Sequence, residues 1–152
     1  MKLNTINGDL VKLAKVGVFD VIVHCQNCFH GWKKGIVVSI GEAFPEAIEA
    51  DLKTIKGDQG KLGSYSFAKI KLDTGKVLFV VNLYAQYSFG QGKHINESYL
   101  AEGLKKLNSQ FSGMKIGYPL IGCGQAGAEW GDISQIVDEN LVDVQHQLVV
   151  LN

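Results

Sequence analysis

A chain of 152 residues is long enough to bury a proper core and short enough for one domain, so residues 1–152 are expected to form a single unit. Its 46% hydrophobic and 20% charged residues are ordinary for a globular protein. Fifteen basic residues balance fifteen acidic ones, which argues against broad, charge-driven attachment to nucleic acid or an anionic membrane. No apolar run approaches the ~20 residues of a membrane span, and the first residues lack a signal-peptide core. With three cysteines, an odd number, the composition suits a reducing cytoplasm. No oligomerisation signal stands out, and a monomer is expected.

In chain order, residues 2–7 alternate and read as a strand. Gly8, Asp9 and Leu10 follow, placing a carboxylate before a short helix. Asp9 fits a helix cap, and it also fits an acceptor for an exocyclic amine. Residues 18–23 are a β-branched apolar run of the kind that forms a buried strand. Ile36, Ile40 and Phe44 mark a helix. Pro45 should break it and open another at its first position, running to about Ile55.

Residues 65–72 alternate as an edge or half-exposed strand, and residues 77–83 form a buried one. Leu100, Leu104, Leu107 and Phe111 fall on one face of a helix over residues 96–111. Residues 115–121 and 147–151 read as strands. Between them Ile133, Ile136, Val137, Leu141 and Val144 mark a further helix, with Asp132 as its cap and Gln135 completing a capping box. Strands alternating with helices predict an α/β fold, a largely parallel sheet covered on both faces. Ligands of such sheets bind where strands end and helices begin.

Three such ends carry polar residues. After Ile121 come Gly122, Cys123, Gly124, Gln125, Ala126 and Gly127, a G-x-G-x-x-G between a strand and a helix. Glycines let backbone N–H groups approach a phosphate. A dinucleotide fingerprint should open its fold, and only ~25 residues remain here, so phosphate binding is kept and dinucleotide binding is not. A bare tight turn is the alternative. After Val23 come His24, Cys25, Gln26, Asn27 and Cys28, then His30, Trp32, Lys33, Lys34 and Gly35. The two lysines disfavour a helix N-terminus but suit an anion bound there; a solvated loop is the plainer alternative. The third end, residues 84–92, mixes aromatics with glycines and could cover a ribose or a base, or pack on its own helix.

Cys25 and Cys28 form C-x-x-C, although Cys25 still lies in the strand register. A redox pair, a zinc site with Cys123 and His24 or His30, or simply small half-buried thiols all fit that spacing. No metal or cofactor is expected on the preferred reading.

Taken in order, these segments resemble the macrodomain family over nearly the whole chain. The resemblance rests on residues 7–10, 21–28, 35–37, 44–47 and 119–130. The His-x-x-Asn-Cys and Gly-Cys-Gly-x-Ala-Gly-x-x-Trp patterns look most like the branch of yeast-type ADP-ribose-1''-phosphate phosphatases and their phage and bacterial relatives. Residues 50–51 and 57–63 are similar to a stretch of the phage members.

The resemblance implies a three-layer α/β/α sandwich around a mixed sheet. It implies that Asp9 and Leu10 meet the adenine and Asn27 the distal ribose. Trp32, Lys33, Lys34 and Gly35 would clasp the diphosphate from one side, and Gly122 to Gly127 from the other. His24 and Asn27 would be the catalytic pair of a hydrolase removing the terminal phosphate, with a lysine meeting that phosphate. The implied partner is ADP-ribose or a derivative, including an ADP-ribosylated macromolecule. The lysines depart from the small residues usual there. The third loop has no lysine over residues 84–87, and Ala126 stands near an aspartate position; both weigh against the mechanism that frees acidic side chains through a lysine adduct. A non-catalytic reader and an ADP-ribosyl hydrolase acting on protein or nucleic acid remain open.

Overall fold

The computed structural model describes residues 4–89, 94–122 and 128–151. Six strands form one sheet: β1 (Asn4–Asn7), β2 (Val21–Cys25), β3 (Tyr65–Lys71), β4 (Val77–Leu83), β5 (Lys115–Tyr118) and β6 (Gln145–Val150). They lie in the order β1-β6-β5-β2-β4-β3, parallel throughout except for β3, which runs antiparallel to β4 at one edge. On that edge Lys69 and Lys71 are exposed while Ala68 and Ile70 are buried, the period-2 alternation of a strand with one solvated face.

Among the described residues five α-helices cover the sheet: α1 (Leu10–Lys15), α2 (Ile36–Ala43), α3 (Pro45–Leu52), α4 (Glu97–Gln110) and α5 (Trp130–Asn140). Leu100, Leu104 and Leu107 of α4 and Ile133 and Val137 of α5 pack with Val21, Val23, Val81 and Leu83 on one face. Leu10 and Ala14 of α1, Ile40 of α2 and Ala47 of α3 pack with Ile22, Leu78 and Val80 on the other. This is the expected three-layer α/β/α sandwich around a mixed, largely parallel sheet. Phe19 lies flat on β5, and only a glycine admits it there: a Cβ on Gly117 would sit 2.7 Å from the ring.

Local chemistry explains where the boundaries differ from expectation. Asn96 caps α4 by accepting from the Tyr99 N–H at 3.1 Å. Pro45 opens α3 as expected, but the helix stops at Leu52, before Ile55. Its buried positions are Ala47 and Asp51, whereas Leu52 is exposed, so the face that packs is not the one that hydropathy marks. Asp132 does not cap α5. That helix starts two residues earlier, at Trp130, which puts Asp132 in the first turn, where its charge suits the helix dipole.

Candidate functional site

A cleft of about 510 Å3 opens at the carboxyl ends of β2, β5 and β6, within the size range of small-molecule sites. Asp9 and Leu10 line it from the start of α1, Asn27 and Gly31 from the loop after β2, and Lys34, Gly35 and Ile36 from the start of α2. Pro119 to Gly122 close the opposite wall, with Phe89 and Leu151 at the rim. Cys123, Gly124, Gln125, Ala126 and Gly127 lie outside the described residues. Gly122 accepts from the Ala128 N–H at 2.7 Å, so the two residues flanking that stretch are held side by side.

Each lining group has a definite posture. Asp9 caps α1, its Oδ1 accepting from the Lys12 N–H at 3.1 Å, so the cap and the cleft wall are one residue. Asn27 Oδ1 accepts from the N–H groups of Phe29 (2.8 Å) and Gly31 (3.3 Å). That fixes the amide orientation and leaves Nδ2, with two donors, unbonded among the described residues. Gly35 adopts φ +80° and ψ −156°, a conformation for glycine alone, and turns the chain into α2. The first N–H groups of α2 have no side-chain cap and face the cleft, and Lys34 stands beside them, with no carboxylate partner among the described residues. A helix N-terminus with an ammonium next to it favours an anion.

Three sequence-expected site residues are placed elsewhere. His24 is 1% exposed and does not line the cleft. Strand alternation turns it to the α2–α3 face, where its ring meets Trp32 edge-on at 5.5 Å and its Nε2 donates to Asn82 Oδ1 at 2.6 Å. Burial pushes its pKa down from 6.5, which favours the neutral imidazole. Trp32 also turns inward, its indole N–H bonded to Asp51 at 2.8 Å. Lys33 is exposed and lies off the cleft wall.

The zinc alternative includes Cys123, which lies outside the described residues. Cys25 and Cys28 form no disulfide with each other, and among the described residues no group of three His, Cys, Asp or Glu residues could hold a metal. Cys28 is fully buried, burial raises its pKa, and its thiol donates to the Gln86 carbonyl at 3.6 Å, the environment of an inert packing cysteine.

What the sequence reading missed is Asp51. Fully buried on α3, it accepts from Tyr84 OH (2.5 Å) on Oδ1, and from Trp32 Nε1 (2.8 Å), Gln26 Nε2 (3.1 Å) and His30 Nδ1 (3.2 Å) on Oδ2. Burial alone would raise its pKa; the four hydrogen bonds outweigh burial and hold it below the usual carboxylate value. Two signals could have found this cluster: a charged residue on the core side of a short helix, and Asn82 inside the otherwise apolar β4. Asn82 pairs in register with His24 on the neighbouring strand.

Comparison with solved structures places the architecture. A protein of unknown function from Bacteroides thetaiotaomicron superposes with a TM-score of 0.81 at 25% identity, covering 100% of this chain and 99% of that one. The macrodomain of Mycobacterium tuberculosis DarG superposes with a TM-score of 0.78 at 20% identity, covering 97% of each chain. The fold is that of the macrodomains. Thermosipho africanus DarTG, solved in complex with ADP-ribose, matches with a TM-score of 0.77 at 14% identity over 99% of this chain and 42% of that one. No family model and no curated protein matches the sequence. In this macrodomain fold the cleft lies where the sheet topology calls for a ligand, at the ends of the parallel strands.

Proposed function

We propose that the cleft binds ADP-ribose, free or attached to a macromolecule. The observation that carries this reading is convergence: the Asn27 amide, the α2 N-terminus with Lys34, and the Asp9 carboxylate all face one cleft of about 510 Å3. Asp9 commits one oxygen to its helix and has Oδ2 for an adenine amino group. The Asn27 Nδ2 donors suit ribose hydroxyls, and the α2 amides suit the diphosphate. The ADP-ribose complex of a protein with the same fold supports the choice of ligand.

Titration with ADP-ribose, followed by calorimetry and amide NMR, tests it. Binding is expected with shifts at Asp9, Asn27, Lys34 and Gly35, and Asn27→Ala should weaken it about tenfold, roughly 1.4 kcal/mol. Shifts scattered over the surface, or none, would remove the reading.

A second reading is hydrolysis of the terminal phosphate of ADP-ribose-1''-phosphate, and Lys34 favours it as a point charge on the cleft wall with no carboxylate partner among the described residues. His24, away from the cleft, could serve that reaction only through its neighbours. Phosphate release by the wild-type chain that falls with Lys34→Ala would support it. Tight ADP-ribose binding with no release from any ADP-ribosyl phosphate, ester or glycoside would leave a binder. A gel assay on labelled ADP-ribosylated protein or nucleic acid separates the hydrolase alternative.

A further inference from the structure

The Asn27 loop poses a problem of its own. Residues 26–35 form one wall of the cleft without regular secondary structure, and His30 within them adopts φ +58°, a left-handed conformation that a side chain with a Cβ disfavours. Something outside the loop must hold this shape. Main-chain bonds anchor its first residues: Gln26 N–H to the Leu83 carbonyl (2.8 Å) and Cys28 N–H to the Tyr87 carbonyl (3.0 Å). Beyond Cys28, the bonds of His30 and Trp32 to another element both end on the Asp51 carboxylate.

We propose that Asp51 is the positioning residue of the cleft: by gathering Gln26, His30 and Trp32 on one carboxylate oxygen it presets the loop that carries Asn27, and so sets affinity for the ligand without touching it. The proposal rests on the ADP-ribose reading of the cleft. Gln26 joins the two residues, Asp51 and Asn27. Its Nε2 donates to Asp51 while its Oε1 accepts from the Asn27 N–H at 3.2 Å, so one side chain links the carboxylate to the main chain of the ligand-facing asparagine.

The carboxylate is tied in turn to the sheet. Asn82 Nδ2 donates to the Ala47 carbonyl (2.9 Å) and to Ser66 Oγ (3.1 Å), so Asn82 Oδ1 is the acceptor for His24. With Ser66 Oγ accepting from Asn82 and Tyr84 OH donating to Asp51, the Ser66 hydroxyl must donate to Tyr84 at 2.7 Å. Every donor in the series His24, Asn82, Ser66, Tyr84 therefore points toward Asp51, the arrangement in which successive bonds reinforce one another. Lys61 packs beside the cluster: its ammonium sits 4.9 Å from the centre of the Tyr84 ring and bonds to Thr54 Oγ1, which donates to the Asp51 main-chain carbonyl. An ionised, acceptor-only group suits four converging donors; an amide would turn an N–H toward one of them.

The test compares Asp51→Asn with Leu104→Ala, a cavity variant on α4 across the sheet and away from the cleft. Both should lower Tm. At a temperature where both are folded, Asp51→Asn should bind ADP-ribose at least tenfold more weakly and shift the amides of Asn27, Gly31 and Gly35 in the unliganded protein. Leu104→Ala should keep the wild-type Kd and the wild-type amide positions there. Should Asp51→Asn not fold, His30→Ala removes a single donor at a side chain that is 14% exposed, and a threefold or greater loss of affinity is expected. Wild-type Kd in a folded Asp51→Asn or in His30→Ala would overturn the inference. A wild-type chain that takes no ADP-ribose would instead overturn the reading of the cleft.

Discussion

The two faces of the sheet are built from the same strands and solve different problems. Toward α4 and α5, β2 and β4 present Val21, Val23, Phe79, Val81 and Leu83, and cohesion there comes from packing. Toward α2 and α3 the same strands begin apolar, with Ile22, Leu78 and Val80, and then switch to His24 and Asn82 near their carboxyl ends. The change falls where the loop after β2 must be fixed in direction. Apolar packing is non-directional, whereas a hydrogen bond specifies an angle, so the face that shapes the cleft wall carries the polar series. The α4–α5 face has a polar exception in Tyr118 and His146, bonded at 2.7 Å beneath α5.

The largest effect that would sharpen this contrast comes from the apolar face. Leu104→Ala should cost about 2–5 kcal/mol in denaturant unfolding, since Leu104 is 1% exposed and its cavity cannot fully collapse. On the polar face Asn82→Ala should cost about 1–3 kcal/mol, chiefly by stranding the donor of His24 and by removing the donor to the Ala47 carbonyl and Ser66 Oγ. Unlike Leu104→Ala, it should also broaden the amide signals of the Asn27 loop. Were the two variants alike in that readout, the division of labour between the faces would be wrong.

Acidity probes the polar face next. His24 titrates near 6.5 when unfolded and lower when folded, because burial disfavours its charged form. Between those two values the unfolded chain binds a proton that the folded chain refuses, so stability falls as pH drops below about 6.5, by up to about 1.4 kcal/mol per pH unit. His146 shifts in the same direction on the other face. Asp51 acts in a separate window: its stabilisation is present above about 3.9 and is lost as pH falls through its lowered folded value. Unfolding midpoints from pH 7.5 to 5 should therefore decline in the wild type and decline less in His24→Gln. An unchanged slope would show that His24 is not held neutral. The smallest change expected is on the surface: Lys106→Ala, which removes the pair with Glu102 at 3.6 Å on α4, should alter stability by no more than about 0.3–0.5 kcal/mol.

Legibility followed the same division. The apolar face was readable because its information is local: the run 77–83 is β4 to the residue, and Leu100, Leu104, Leu107 and Phe111 give α4 from spacing alone. Asn27, Lys34 and Gly35 could be expected in the cleft because they follow a strand end that the topology marks, and Asp9 because of the family resemblance. The polar network was not readable. Asp51 lies 25 residues from Gln26, and Asn82 lies 58 residues from His24, so no window of sequence contains a pair. The position of His24 was hidden in the same way, since a histidine at a strand end is equally consistent with either face until the register of its neighbours is known.

The edge strand β3 has a consequence for the protein in concentrated solution. Exposed sheet edges invite a second molecule to continue the ladder, and fibrils grow that way. Lys69 and Lys71 are both exposed on one face of this edge strand, so a copy docking there antiparallel and in register brings ammonium groups close to one another. The strand that completes the sheet thereby also discourages its extension.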